Sequence, residues 1–226
     1  MIPLLISLLM IGLGAVPLTA HAGSVSNNWA GYVQPGWDQM VGAEWVVPTL
    51  NCTVTPKGAT SDWVGVNGDK ARDPGLFQDG TTSVCSNGRQ VDFAWWTDEV
   101  DGYSVQWLFP VAAGEVVYAR VWQESSGYWA YSVRDLTTGQ SSHSVEPFNG
   151  PGLSAEWIAE DPTNQATHKL YPLADFGVVH FSHAQYIGHT RYATAIQMYM
   201  RSGALQALTS TMAKGSSWDV SYESRK

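Results

Sequence analysis

At 226 residues, 44% hydrophobic and only 14% charged, with a formal net charge of −8, the chain is too apolar and too sparsely charged to be a disordered segment. It carries no basic run, which excludes nucleic acid as a partner. An acidic surface of this kind keeps negative or neutral character as pH falls, and it suits an acidic medium.

The opening MIPLLISLLMIGLGAVPLTAHA predicts a secretory signal peptide over residues 1–22. An apolar run from Ile2 to Val16 leads to the small residues Ala20 and Ala22, although no Lys or Arg marks its start. The run is short and broken by Gly and Pro, so it makes a poor membrane span. Cleavage after Ala22 leaves residues 23–226 as one exported domain, extracellular, monomeric and without membrane contact. Cys52 and Cys85 are the only cysteines, and in an exported chain they are expected to form a disulfide, with reduced thiols as the alternative.

From there the chain is a succession of short β-type runs separated by Gly, Pro, Asn and Ser. GAEWVVP, SDWVGV, VDFAWWTDEV, YSVQWLFPV, EVVYARVWQES and YWAYSVRDL come first; SSHSVEP, AEWIAED, FGVVHFSHAQYIG, YATAIQMYM and SWDVSYES follow. Many alternate: Val117, Ala119 and Val121 share one face of their run, while Tyr118, Arg120 and Trp122 share the other. Only residues 204–213 hint at a helical turn. The spacing predicts an all-β, antiparallel two-sheet sandwich or barrel. Eleven Trp and ten Tyr exceed what one core needs, so some are expected to line a groove for an extended peptide or a sugar.

Most familiar chemistries lack their residues. There is no H-E-x-x-H and no G-x-S-x-G, and Gly152-Leu153-Ser154-Ala155-Glu156 is only a near miss. The D-T-G or D-S-G turn of pepsin-like proteases and a Gly-rich phosphate loop are also missing. His180, His183 and His189 cluster in VVHFSHAQYIGH, but strand alternation puts the first two on opposite faces and no acid falls among them. No metal and no cofactor are expected. What remains is carboxylate chemistry, for which the twin triplets Ala43-Glu44-Trp45 and Ala155-Glu156-Trp157 offer two candidates.

Six blocks come in a fixed order: NNWAGYV (27–33), the W-x-V-P of residues 45–48, SDWVGVNGD (61–69), LFQDG (76–80), FAWWTDE (93–99) and LSAEWIAEDP (153–162). Together they resemble the glutamic peptidases known as eqolisins, over nearly all of the mature chain. The resemblance implies a sandwich of two curved antiparallel sheets, similar to lectin and jelly-roll architectures, with the active site on a concave face. It implies Glu156 as the catalytic base and Gln78 as its partner, with Glu44 left out. Trp63 and Trp95 match tryptophans that wall the substrate groove, and Asn67 stands at a substrate-side position where fungal members commonly have Asp. Thr97 likewise replaces a Glu, leaving Asp98 and Glu99 nearby without an assigned face. Only Gly23 to Ser26 separate the predicted cleavage from NNWAGYV, so control by a long pro-segment is not expected.

The chemistry agrees with that assignment. A carboxylate can take a proton from an attacking water and return it to the departing amine. A glutamine amide can hold the water through its carbonyl and steady the oxyanion through N–H, with no charge of its own to titrate. The expected activity is a secreted acid endopeptidase acting on proteins or peptides. Two alternatives stay open on the residues: a glycoside hydrolase using Glu44 and Glu156 as its carboxyl pair, or a lectin-like or peptide-binding module. A purely structural Glu156 would pair with an Arg across the sheet. Gln78, ahead of Asp79-Gly80, reads as a loop residue.

Overall fold

A computed structural model describes residues 19–36, 38–69, 75–99, 105–188 and 192–223; residues 1–18 of the expected signal peptide (1–22) and His189 lie outside them. In chain order the strands are β1 (Thr19–Ser26), β2 (Trp29–Pro35), β3 (Asp38–Val46), β4 (Ala59–Val66), β5 (Phe77–Ser86) and β6 (Arg89–Asp98). Then come β7 (Gln106–Val111), β8 (Val116–Ser125), β9 (Tyr128–Asp135), β10 (Ser141–Pro147), β11 (Ser154–Glu160), β12 (Thr163–Asn164) and β13 (Lys169–Leu170). The last four are β14 (Val178–Gly188), β15 (Tyr192–Tyr199), β16 (Leu205–Thr209) and β17 (Trp218–Tyr222). Among the described residues there is no α-helix.

The hydrogen-bonded order is β10-β9-β8-β3-β14-β17-β16-β15-β2-β11-β4-β5-β6-β7. Its two ends fold over each other: β3 packs against β4 and β11, β8 against β4 and β5, and β9 against β5 and β6. The result is the expected β-sandwich, with a front sheet β15-β2-β11-β4-β5-β6-β7 and a back sheet β10-β9-β8-β3-β14, joined along one side by β16 and β17. The ladders within both layers are antiparallel. β1 adds to β15 in parallel, with a register irregularity between His21 and Ser24, and the predicted cleavage between Ala22 and Gly23 falls inside it.

Period-two alternation decides which side chains fill the space between the sheets. Ala155, Trp157 and Ala159 of β11, Val64 and Val66 of β4, and Ala30 and Tyr32 of β2 enter from the front. Ala43 and Trp45 of β3 and Val117, Ala119 and Val121 of β8 meet them from the back. Trp218 stacks on Phe181 at 5.4 Å between ring centroids and meets Trp157 edge-on at 6.2 Å. Polar groups that must enter this layer are satisfied across it. Trp157 Nε1 donates to Gly42 O (3.0 Å), Trp45 Nε1 to Thr81 Oγ1 (2.9 Å), and Ser132 N to Asp79 Oδ2 (3.1 Å). These three bonds tie the sheets at fixed points and so fix how the layers sit on each other.

Two expectations change. The helical hint at 204–213 is instead β16, because Ala207 and Thr209 pair with β15 and β17. Gln78 lies in β5, inside a regular ladder with β4 and β6, rather than in a loop. Turn-forming residues there mislead: Gly80 is needed because an added Cβ would press on the Trp63 backbone at 2.8 Å.

The Cys52–Cys85 bridge is formed and ties the segment after β3 to β5. Replacing both cysteines by serine removes a cross-link spanning 33 residues, which the chain-entropy model values at about 3–4 kcal/mol. Urea unfolding of the two proteins measures this, and a difference under about 1 kcal/mol would show that the bridge carries little of the stability.

Candidate active site

The residues of β11 that avoid the core are Ser154, Glu156, Ile158 and Glu160, and they lie on the outer face of the front sheet. In the ladders Glu156 stands opposite Val33 of β2 on one side and Gly65 of β4 on the other. Gly65 stands opposite Gln78 of β5, which stands opposite Thr97 of β6. Directly opposed residues share a face, so Val33, Glu156, Gly65, Gln78 and Thr97 form one row across the sheet. Glu156 and Gln78 are brought together here, two strands or about 9.5 Å apart at the backbone, with only a glycine between them. A Cβ at Gly65 would sit 3.0 Å from both Leu76 Cδ1 and Trp63 Cζ3, and 3.1 Å from Gln78 Cβ. The glycine therefore leaves the row position between Glu156 and Gln78 without a side chain. Neither residue directly opposed to Glu156 in the ladders, Val33 or Gly65, is charged.

A small apolar cluster separate from the main core surrounds this row: Val33, Trp63, Leu76, Trp95, Ile158 and Ile196. Trp63 and Trp95 thus belong to the outer face of the front sheet and not to the space between sheets, although both are buried. Trp29 meets Trp63 edge-on at 5.0 Å. Asn67 is buried with φ at 61°, a backbone state that asparagine tolerates better than most residues. Its N–H donates to Ser154 O (3.1 Å) and its Oδ1 accepts from Leu153 N (2.7 Å). Asn67 consequently fastens the end of β4 to the entry of β11 and helps set where Glu156 sits.

Two further acids, Glu160 and Glu99, join the face. Glu160 accepts from Trp63 Nε1 (2.8 Å) and Asn28 Nδ2 (3.1 Å), so it anchors the Trp63 indole. Its parity with Glu156 was readable along β11; its indole partner from β4 was not. Glu99 accepts from Gln78 Nε2 at 3.1 Å. Asp98, opposite Phe77, lies on the other face. Burial pushes the Glu99 carboxyl up to about 7 against the bond from Gln78. Burial, with the Glu99 charge adding to it, also lifts Glu160 to about 7, and burial with the Glu160 charge lifts Asp161 to about 8. Asp38 is raised by burial to about 7.

Glu44 is elsewhere. It sits on the outer face of the back sheet, where its carboxylate pairs with His183 Nδ1 at 2.9 Å, while Trp45 fills the core. Glu44 and Glu156 therefore face away from each other across the sandwich, and no sugar bond could be flanked by both. The expected split of His180 and His183 also fails. A register irregularity between Ser182 and Gln185, with His183 at φ 51°, leaves both on acids of neighbouring strands, His180 with Asp219 at 2.6 Å. Among the described residues no three His, Cys, Asp or Glu side chains group as a metal site.

The sequence matches the Peptidase A4 family over residues 27–222. No curated protein matches it. The fold is similar to that of scytalido-glutamic peptidase, solved with a transition state analog inhibitor, at a TM-score of 0.74 and 20% identity over 88% of this chain and 100% of that one. It is also similar to SCP-B of the eqolisin family, solved with the tripeptide Ala-Ile-His, at a TM-score of 0.71 and 22% identity over 88% and 100%. Aspergilloglutamic peptidase from Aspergillus niger gives a TM-score of 0.63 and 24% identity over 74% and 100%.

The raised carboxyls fix the sign of the pH response. Each holds its proton in the folded protein up to about pH 7 or 8, whereas in the unfolded chain it ionises near 4. Between those values the folded state binds more protons, so stability falls as pH rises. The thermal midpoint is expected to be roughly 5–10 °C lower at pH 8 than at pH 4.5. A scan in which the midpoint climbs toward pH 8 would contradict this.

Proposed function

The chain belongs to the Peptidase A4 family and is a peptide-hydrolysing enzyme, and on that premise we propose that Glu156 and Gln78 carry the hydrolysis on the outer face of the front sheet. The observation that carries the reading is the single row that joins them across Gly65.

Glu156, ionised, takes a proton from a water placed between it and Gln78 as the water oxygen attacks the scissile carbonyl carbon. Charge builds on the carbonyl oxygen, where Gln78 Nε2–H donates to it. Glu156, now neutral, gives the proton to the amide nitrogen as the carbon–nitrogen bond breaks, releasing an acid and an amine and restoring the carboxylate. The buried Oε1 of Gln78, which has no hydrogen-bond partner among the described residues, is available to accept from that water. The buried Trp63 and Trp95 cluster backs the row on this face as an apolar wall.

The substrate is a protein or an extended peptide. Support comes from the tripeptide and the inhibitor held by the similarly folded SCP-B and scytalido-glutamic peptidase. We place the mature enzyme, residues 23–226, outside the cell: the bridged Cys52–Cys85 pair suits an oxidising compartment, and the raised acids favour an acidic one.

Cleavage of a denatured protein or a quenched peptide across pH 2–7 tests the assignment. Glu156→Gln is expected to lose about 10²–10⁴ in kcat and Gln78→Ala about 10²–10³, with the circular dichroism spectrum unchanged. Full activity in Glu156→Gln would refute the mechanism. Gly65→Ala, by displacing Gln78 and Trp63 a few tenths of an ångström, is expected to lower kcat by about 10–100-fold. A Gly65→Ala enzyme with wild-type kcat would show that the open space between the pair does not matter.

A further inference from the structure

The amide of Gln78 is planar, with an end that donates and an end that accepts, nearly identical in shape. Catalysis needs a particular end on each side, and the side chain's own rotamers do not choose. Something outside Gln78 must. In the structure Nε2 donates to Glu99 Oε1 at 3.1 Å, while Oε1 is buried without a partner among the described residues. Glu99 directly follows β6, two positions beyond Thr97 on the same face, and its N–H donates to Leu76 O at 3.0 Å. That backbone bond fixes it beside the start of β5.

We infer that Glu99 is a positioning residue that decides which end of the Gln78 amide faces the reaction. This deepens the proposed function and rests on its assignment of Glu156 and Gln78. An ionised carboxylate can only accept, so it selects the nitrogen end. Glu99 draws Nε2 toward β6, on the far side of β5 from Glu156. The planar amide then turns Oε1 back over Gly65 toward Glu156, where it accepts from the attacking water. The second Nε2 hydrogen stays free for the oxyanion. In acid the neutral carboxyl keeps an accepting carbonyl oxygen for Nε2 but also carries a hydroxyl that can donate, so the selection is strict only where Glu99 is ionised. A carboxyl that burial holds up to about 7 costs the fold stability at neutral pH, in a place where an apolar side chain would have packed without that cost. Thr97 occupies the row opposite Gln78, and the acid comes instead from two residues farther on.

The test is a double-mutant cycle in the full chain, read as kcat and KM on a quenched peptide. Glu99→Ala is expected to lower kcat about 10–50-fold with KM changed less than about threefold, because an amide free to turn presents the wrong end much of the time. Glu99→Gln, which keeps a carbonyl acceptor, is expected to recover to within about fivefold of wild type. In a Gln78→Ala background, Glu99→Ala should cost less than about twofold more, since its effect passes through the missing amide. Losses that multiply in the double variant, or a Glu99→Ala enzyme within about twofold of wild-type kcat, would overturn the inference. If Glu99→Ala unfolds in a thermal scan, Glu99→Gln and Glu99→Asp in both backgrounds carry the same cycle. Failure of the underlying reading looks different: Gln78→Ala or Glu156→Gln alone would then keep wild-type activity.

Discussion

The pairing of β11 with β4, and of β4 with β5, is the constraint on which the rest of the site depends. It places Glu156, Gly65 and Gln78 in one row. A slip of one residue in β11 would turn Glu156 into the space between the sheets and push Trp157 out of it. The slip is opposed by the side chains that alternate with the site residues. Ala155, Trp157 and Ala159 are buried, and Trp157 is further tied to Gly42 of the back sheet. A fully buried Trp of this kind contributes about 3–5 kcal/mol relative to Ala, so the core holds the register and the register holds the site.

Charge is the second constraint. Glu99, Glu160 and Asp161 are carboxyls that burial makes reluctant to ionise, and the charges of Glu99 and Glu160 add to the effect on their neighbours. At neutral pH such a group is a stability cost; in acid it is a neutral hydrogen-bonding residue. Each of the first two also holds something that the site uses, Glu160 the indole of Trp63 and Glu99 the amide of Gln78. Acid stability and site geometry thus arise from the same side chains.

The twin Ala-Glu-Trp triplets show how a sandwich can give identical sequences different fates. Ala43 and Trp45 enter the core from the back sheet, Ala155 and Trp157 from the front. The glutamates between them must then point out of opposite sides. Glu44 meets His183 in solvent, with its side chain 26% exposed, while Glu156 is fully buried among the aromatics of the front face. The triplet encodes only the alternation; the layer in which its strand lies supplies the environment.

Local order was therefore legible from the residues. Alternation marked most of the strands, the ordered motif blocks marked the family and pointed to the proposed pair Glu156 and Gln78, and the two cysteines could pair only with each other. These signals depend on neighbours within a few residues. What the chain did not reveal depends on which distant segments become adjacent. Gln78 looked like a turn residue because Asp79 and Gly80 follow it, yet Gly80 is there to let β5 approach Trp63. His183 reached Glu44 through a bulge that alternation cannot foresee. Glu99 and Glu160 gained their partners from strands far away in sequence, and the spacer role of Gly65 exists only once β4 lies between β11 and β5. The sequence by itself determined which residues alternate; only the tertiary structure decided which rows they form, because cross-strand register is set by the packing of both sheets together.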